Sequence, residues 1–146
     1  MSLSNLPASQ LLQPGLRLLV VDANLDSREL LVMLFAEYGV ETLTAASVRE
    51  ALEIIQRTQI DLVISEIALP DENGYSFIRK LKAAQVEIPA IALTVYTGDI
   101  DRQQALLAGF CQHLPKPLDL DRLVKTVASV TQRAQAAWER SYTQLN

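Results

Sequence analysis

The chain of 146 residues holds a single cysteine, Cys111, so no intrachain disulfide can staple it, and a lone thiol fits a reducing compartment. Long apolar runs are missing as well. The longest, Leu30 to Ala36, falls far short of the roughly 20 residues needed to span a bilayer. Basic charge is not in excess: the net charge is −4 and the isoelectric point about 5.0, which argues against a nucleic-acid surface. No basic segment followed by an apolar stretch opens the sequence, so no secretory signal is visible. What is present is 49% apolar and 21% charged residues, an ordinary globular balance. At this length one domain can bury roughly 70% of its unfolded surface without help from a metal. The expectation is a soluble, cytoplasmic single domain that contacts neither membrane nor nucleic acid.

Residues 1–15, polar and broken by Pro7, Pro14 and Gly15, read as a leader or linker. From Leu16 onward short apolar runs alternate with amphipathic ones. Leu18 to Val21 has the length and β-branching of a buried strand, and a helix follows, with Asp26 and Glu29 spaced as a capping box. Leu30, Leu31, Leu34 and Tyr38 are its expected inner stripe, and Gly39 its close. Val40 to Ala45 is a second strand. Ser47 with Glu50 caps a helix whose inner stripe is Val48, Ala51, Leu52 and Ile55. Leu62 to Ile64 is a third strand, and Gly74 precedes a helix that turns Ile78 and Leu81 inward. Pro89 introduces a fourth strand, Ala90 to Thr94; Asp99 can cap the next helix and Gly109 closes it. A fifth strand, Phe110 to Leu114, carries Cys111 as a small packed residue. It leads through Pro115-Lys116-Pro117 to a helix capped by Asp119, with Leu120, Leu123, Val124, Val127 and Val130 as its stripe.

Five β-then-α units with continuous apolar strands call for a parallel sheet covered on both faces. The expected fold is α/β and flavodoxin-like: a doubly wound five-stranded parallel sheet, order 2-1-3-4-5, with five helices. Ligands of such sheets bind at the carboxyl ends of the strands. Strand one ends with Asp22, strand three with Glu66, strand four with Thr94, and strand five runs into Lys116. Two carboxylates, a hydroxyl and an ammonium group therefore converge at one end. Neither G-x-G-x-x-G nor G-x-x-x-x-G-K follows the first strand, so nucleotide binding has no support. A charge network that merely satisfies polar groups at strand ends is the plain alternative.

Residues 16–131 resemble the receiver domain of two-component response regulators. The matching stretches are Leu18-Leu19-Val20-Val21-Asp22, Asp61-Leu62-Val63-Ile64-Ser65-Glu66, Leu69-Pro70-Asp71-Glu72-Asn73-Gly74, Ala92-Leu93-Thr94 and Leu114-Pro115-Lys116-Pro117. The resemblance implies the CheY-like version of the fold and a Mg²⁺-assisted transfer of phosphoryl from a kinase histidine to an aspartate ending strand three. An acidic pair after strand one would hold the metal, with the backbone carbonyl matched by Ala68. The hydroxyl of Thr94 and the ammonium of Lys116 would bind phosphoryl oxygens. Thr94 and His113 match the switch positions, and the peptide bond before Pro117 is expected to be cis. The implied partners are a sensor histidine kinase or phosphorelay protein and a downstream output protein or domain. The wording from His113 to Pro117 resembles receivers of hybrid histidine kinases.

Two departures fall in the reactive cluster. Glu66 stands where the family places its acceptor aspartate, and one extra methylene moves the attacking oxygens by about an ångström, a displacement that can cost on the order of 100-fold in rate. The acidic pair reads Asp22-Ala23, so a direct metal ligand is missing. Asp22, Glu66 and the Ala68 carbonyl are expected to make a weak Mg²⁺ site or none. The leading expectation is a pseudo-receiver that signals through protein contacts along helix four, strand five and helix five. The alternative is a working phosphoacceptor that uses Glu66, Ser65 or Asp71; an unrelated flavodoxin-like enzyme or small-ligand binder is the third reading. His113 reads equally as a half-buried strand histidine. Residues 132–146, with Trp138 and Tyr142, read as a helical extension or linker, as a homodimer contact, or as a frayed end.

Overall fold

The computed structural model describes residues 11–145. Residues 1–10 of the expected leader, and residue 146, lie outside them. Ten elements alternate: β1 (Arg17–Val21), α1 (Leu25–Ala36), β2 (Glu41–Ala45), α2 (Val48–Arg57), β3 (Leu62–Ser65), α3 (Gly74–Ala83), β4 (Ala90–Thr94), α4 (Asp99–Ala108), β5 (Gln112–Pro115) and α5 (Leu120–Leu145). The strands form one parallel sheet in the order β2-β1-β3-β4-β5, as the alternation predicted.

Side chains along a strand point alternately to its two faces, so each apolar strand supplies two cores. Leu18 and Val20 of β1, Leu62 and Ile64 of β3, and Ile91 and Leu93 of β4 join Leu31 and Phe35 of α1 and Leu123, Val124 and Val127 of α5. On the opposite face Leu19, Val21, Val63, Ala90 and Ala92 join Val48 and Ala51 of α2, Phe77, Ile78 and Leu81 of α3, and Ala105 of α4. Two helices therefore cover one face and three the other. The sequence reading begins the domain at residue 16, yet the first core reaches back to Leu12, which is 1% exposed.

Several local expectations are corrected. Asn24, not Asp26, caps α1: its side chain accepts from the Ser27 N–H at 2.9 Å. The chain turns early because the Asp22 carboxylate already holds the Asn24 N–H at 2.9 Å. Leu31, Leu34 and Tyr38 pack on the core as expected and Phe35 joins them, while Leu30 faces outward; from Leu30 to Ala36 the helix is apolar all round, so its spacing offered more than one register. Gly98 rather than Asp99 occupies the cap position before α4, its N–H donating to the Asp101 carboxylate at 3.2 Å. Strand β5 begins at Gln112, two residues later than expected, and Leu120 lies at the edge of α5 rather than inside its stripe. In α2 the expected pair is present: the Glu50 N–H donates to Ser47 Oγ, and the Glu50 carboxylate reaches back to the Ala46 N–H. Gly109, with φ of +120°, closes α4 in a conformation that side chains disfavour. The Lys116–Pro117 peptide bond is cis.

Candidate functional site

In a parallel sheet all strands end on the same side, so the residues just past β1, β3, β4 and β5 share one rim. Asp22 and Glu66 stand there as polar groups among apolar neighbours, only 7% and 8% exposed. Main-chain bonds fix them in register: the Asp22 N–H donates to the Ala45 carbonyl at 3.0 Å, and the Glu66 N–H to the Val21 carbonyl at 2.9 Å. Lys116 is placed the same way, its N–H donating to the Thr94 carbonyl at 2.9 Å.

From that position the Lys116 ammonium reaches both acids. Its Nζ lies 2.8 Å from Asp22 Oδ2 and 3.3 Å from Glu66 Oε1. The two remaining carboxylate oxygens are engaged as well: Asp22 Oδ1 accepts the Asn24 N–H, and Glu66 Oε2 accepts the N–H of Ile67. Partial burial alone would lower the Lys116 pKa, but the hydrogen bonds and charges of Asp22 and Glu66 outweigh it and hold the ammonium above the ordinary lysine value. Arg28, which sequence reasoning did not single out, donates from Nη1 to the Asp22 carbonyl at 2.7 Å and ties α1 to the end of β1. No local pattern announces that contact.

Thr94 is fully buried, and its Oγ1 accepts the Tyr96 N–H at 3.2 Å. The imidazole of His113 is also buried, and because a carbonyl can only accept, its Nε2–H donates to Tyr96 O at 2.8 Å. Both polar backbone groups of Tyr96 are thus held, one from β4 and one from β5. Ala68 lies on the exposed loop after β3. The structure therefore joins Asp22, Glu66 and Lys116 through side chains, and Thr94 to Lys116 through the backbone.

The two fallback acceptors are occupied elsewhere. Ser65 is fully buried and its hydroxyl donates to the Glu66 carbonyl at 2.9 Å. Asp71 takes the N–H groups of Val48 at 3.0 Å and Arg49 at 2.9 Å, and so closes the first turn of α2 from the β3–α3 loop. Desolvation is the largest single influence on the Asp71 pKa and pushes it up, but the N–H groups of Arg49, Val48, Asp71 and Glu72 together outweigh it and hold it below the ordinary carboxylate value. That role was not legible in sequence, since the two segments are joined only by the fold.

The residues present do not fit the divalent cation that the resemblance implies. Mg²⁺ demands near-ideal octahedral oxygen geometry. The rim offers two carboxylates with every oxygen already engaged, Ala23 adds none, and among the described residues no group of three acidic, histidine or cysteine side chains is placed to hold a metal. Among the described residues, too, no helix is long and apolar enough to cross a membrane.

Residues 18–128 match the family described as response regulator receiver domain. An uncharacterized 14.6 kDa protein in the sodA1 3′ region of Leptolyngbya boryana is 37% identical over 113 residues, covering 75% of this chain and 86% of that protein. The response regulator protein PilR of Pseudomonas aeruginosa is 36% identical over 112 residues, 76% of this chain, but the match spans only 25% of PilR. A two-component response regulator from Clostridium difficile superimposes with a TM-score of 0.78 at 27% identity, covering 82% of this chain and 98% of the other. With the strand order, the rim of Asp22, Glu66, Thr94 and Lys116, and these likenesses together, the chain belongs to the response regulator receiver domain family.

Proposed function

We propose that this chain is a pseudo-receiver of two-component signal transduction, with Glu66 in the phosphoacceptor position, signalling through protein contacts rather than through phosphoryl transfer. The observation that carries the reading is the grip of Lys116 on Glu66 and Asp22 at 3.3 and 2.8 Å. Glu66 carries its oxygens one methylene further out than an aspartate would, and each already has a partner that an attack on a phosphoryl group would disturb. The longer side chain meets the lysine with one negative charge, where a phosphoryl group would bring nearly two. Thr94 and Lys116 keep the positions that sense that charge in the family, with Thr94 and His113 holding the β4–α4 loop between them.

The proposed partners are a sensor histidine kinase or phosphorelay protein and a downstream output protein or domain, met in the cytoplasm. The face of α4, β5 and α5 is the proposed contact: α4 exposes Ile100, Leu106 and Leu107, an apolar surface of the kind that a partner covers. Mg²⁺ binding is weak in this reading, because Asp22, Glu66 and the Ala68 carbonyl are all that the rim retains.

Intact-mass measurement after incubation with Mg²⁺ and acetyl phosphate tests it, run in parallel on the unaltered chain and on the Glu66→Asp, Ala23→Asp double variant. A phosphoryl mass on the double variant alone is the expected result. A phosphoryl mass on the unaltered chain overturns the reading in favour of a working phosphoacceptor.

A further inference from the structure

We propose that Lys116 takes the place of a divalent cation at this rim, so that the chain neutralises its own carboxylates and the site is indifferent to Mg²⁺. The proposal rests on the pseudo-receiver reading and deepens it: Lys116, not the shortage of acids alone, keeps the cation out.

Charge is the first argument. The family pattern sets three carboxylates and one lysine around a dication, a balanced set. Ala23 removes one carboxylate, leaving Asp22 and Glu66. One ammonium then brings the cluster to within a single charge of neutrality, and the pull on a dication falls accordingly. With a third carboxylate in place, one ammonium would leave two negative charges uncompensated.

Geometry is the second. Lys116 touches an oxygen of each acid, at 2.8 Å on Asp22 and 3.3 Å on Glu66. The extra methylene of Glu66, which misplaces its oxygens for attack on a phosphoryl group, extends the side chain toward this contact. The opposite oxygens are held by the backbone N–H groups of Asn24 and Ile67, so neither carboxylate can turn to a new ligand without breaking two bonds. The Lys116 backbone is itself bonded to Thr94 at the end of β4. One residue of the β5 end therefore joins the carboxyl ends of β1, β3 and β4. A dication entering here has to displace the ammonium from both acids and leave it half-buried and unpaired, which is costly.

Binding of Mn²⁺, used alone as a spectroscopic substitute for Mg²⁺, to the full chain and to Lys116→Met decides the matter. The variant is expected to bind Mn²⁺ at least about tenfold more tightly than the unaltered chain, a difference of about 1.4 kcal/mol. Equal affinity in the two chains overturns the proposal. Should Lys116→Met fail to fold, the ammonium resonances of Lys116 in the unaltered, ¹⁵N-labelled chain give the answer. They are expected to stay in place as Mg²⁺ is raised through the millimolar range, and their displacement by Mg²⁺ overturns the proposal. Neither measurement uses a phosphoryl donor, so a phosphorylated unaltered chain would sink the pseudo-receiver reading while the role of Lys116 is judged on Mn²⁺ binding alone.

Discussion

Lys116 and Asp22, 94 positions apart in the sequence, meet at 2.8 Å on the rim of the sheet. A long-range ion pair with little access to water loses most when one partner is removed, because the other is left as an uncompensated charge. Lys116→Met is expected to cost on the order of 2 kcal/mol, which chemical denaturation will read directly. The pH dependence has a definite sign. The folded state raises the Lys116 pKa above the ordinary 10.5, so its contribution is complete below that value and fades as pH rises through the higher folded one. Unfolding midpoints across that alkaline range should fall more steeply for the unaltered chain than for Lys116→Met.

Gly74 begins α3 directly beside the rim. A Cβ there would stand 2.6 Å from the Glu66 carbonyl oxygen and 3.1 Å from the Ile67 Cα, both backbone atoms that cannot swing aside. Gly74→Ala is therefore expected to cost about 1–3 kcal/mol and to shift the Glu66 backbone. A melting curve checks the first effect, and the amide resonances of Glu66 and Ile67 check the second.

Asp71 makes the amino end of α2 depend on the β3–α3 loop, through the N–H groups of Val48 and Arg49. Removing such a cap costs about 0.5–2 kcal/mol, and Asp71→Ala should fall within that range. Because the folded pKa lies below the ordinary 3.8, the stabilisation is present above that pH and is lost as the pH falls through the lower folded value. The difference in unfolding midpoint between Asp71→Ala and the unaltered chain should shrink on acidification.

The two ends of the domain make opposite predictions. Leu12, 1% exposed, is part of the core, so Leu12→Ala should cost about 2–5 kcal/mol. Beyond Thr131 the side chains of α5 are largely exposed, and a chain ending at residue 131 should lose less than about 1 kcal/mol. Thermal unfolding of the two variants checks both, and a large loss in the shortened chain would move the domain boundary toward Leu145.

The strands and their order were legible because a sheet buried on both faces demands uninterrupted apolar runs, and runs such as Ala90 to Thr94 have few other uses. Ser47 and Glu50 announced the start of α2 for an equally local reason. The start of α1 was misread for a local reason that the spacing of Asp26 and Glu29 masked: Asp22, two residues before Asn24, accepts its N–H and sets the turn, so that Asn24 caps the helix. Leu12 was hidden in a segment broken by Pro14 and Gly15, where a pair of leucines has no periodicity to reveal a buried face. At the rim, position along each strand was enough to nominate Asp22, Glu66, Thr94 and Lys116. Which oxygen each N–H or ammonium takes, and the engagement of Asp71 with α2, depend on distances between segments that no spacing records.

The stacked pair at the far end of α5 carries an optical consequence. Trp138 is the sole tryptophan of the chain; its ring lies 5.4 Å from that of Tyr142, it is 65% exposed, and it sits beyond the residues that pack on the sheet. Intrinsic emission from this protein is therefore a poor gauge of whether its interior has melted, since the emitter faces water already. The same emission is a direct lamp on the exposed end of the last helix, and it should brighten or shift when another molecule settles there.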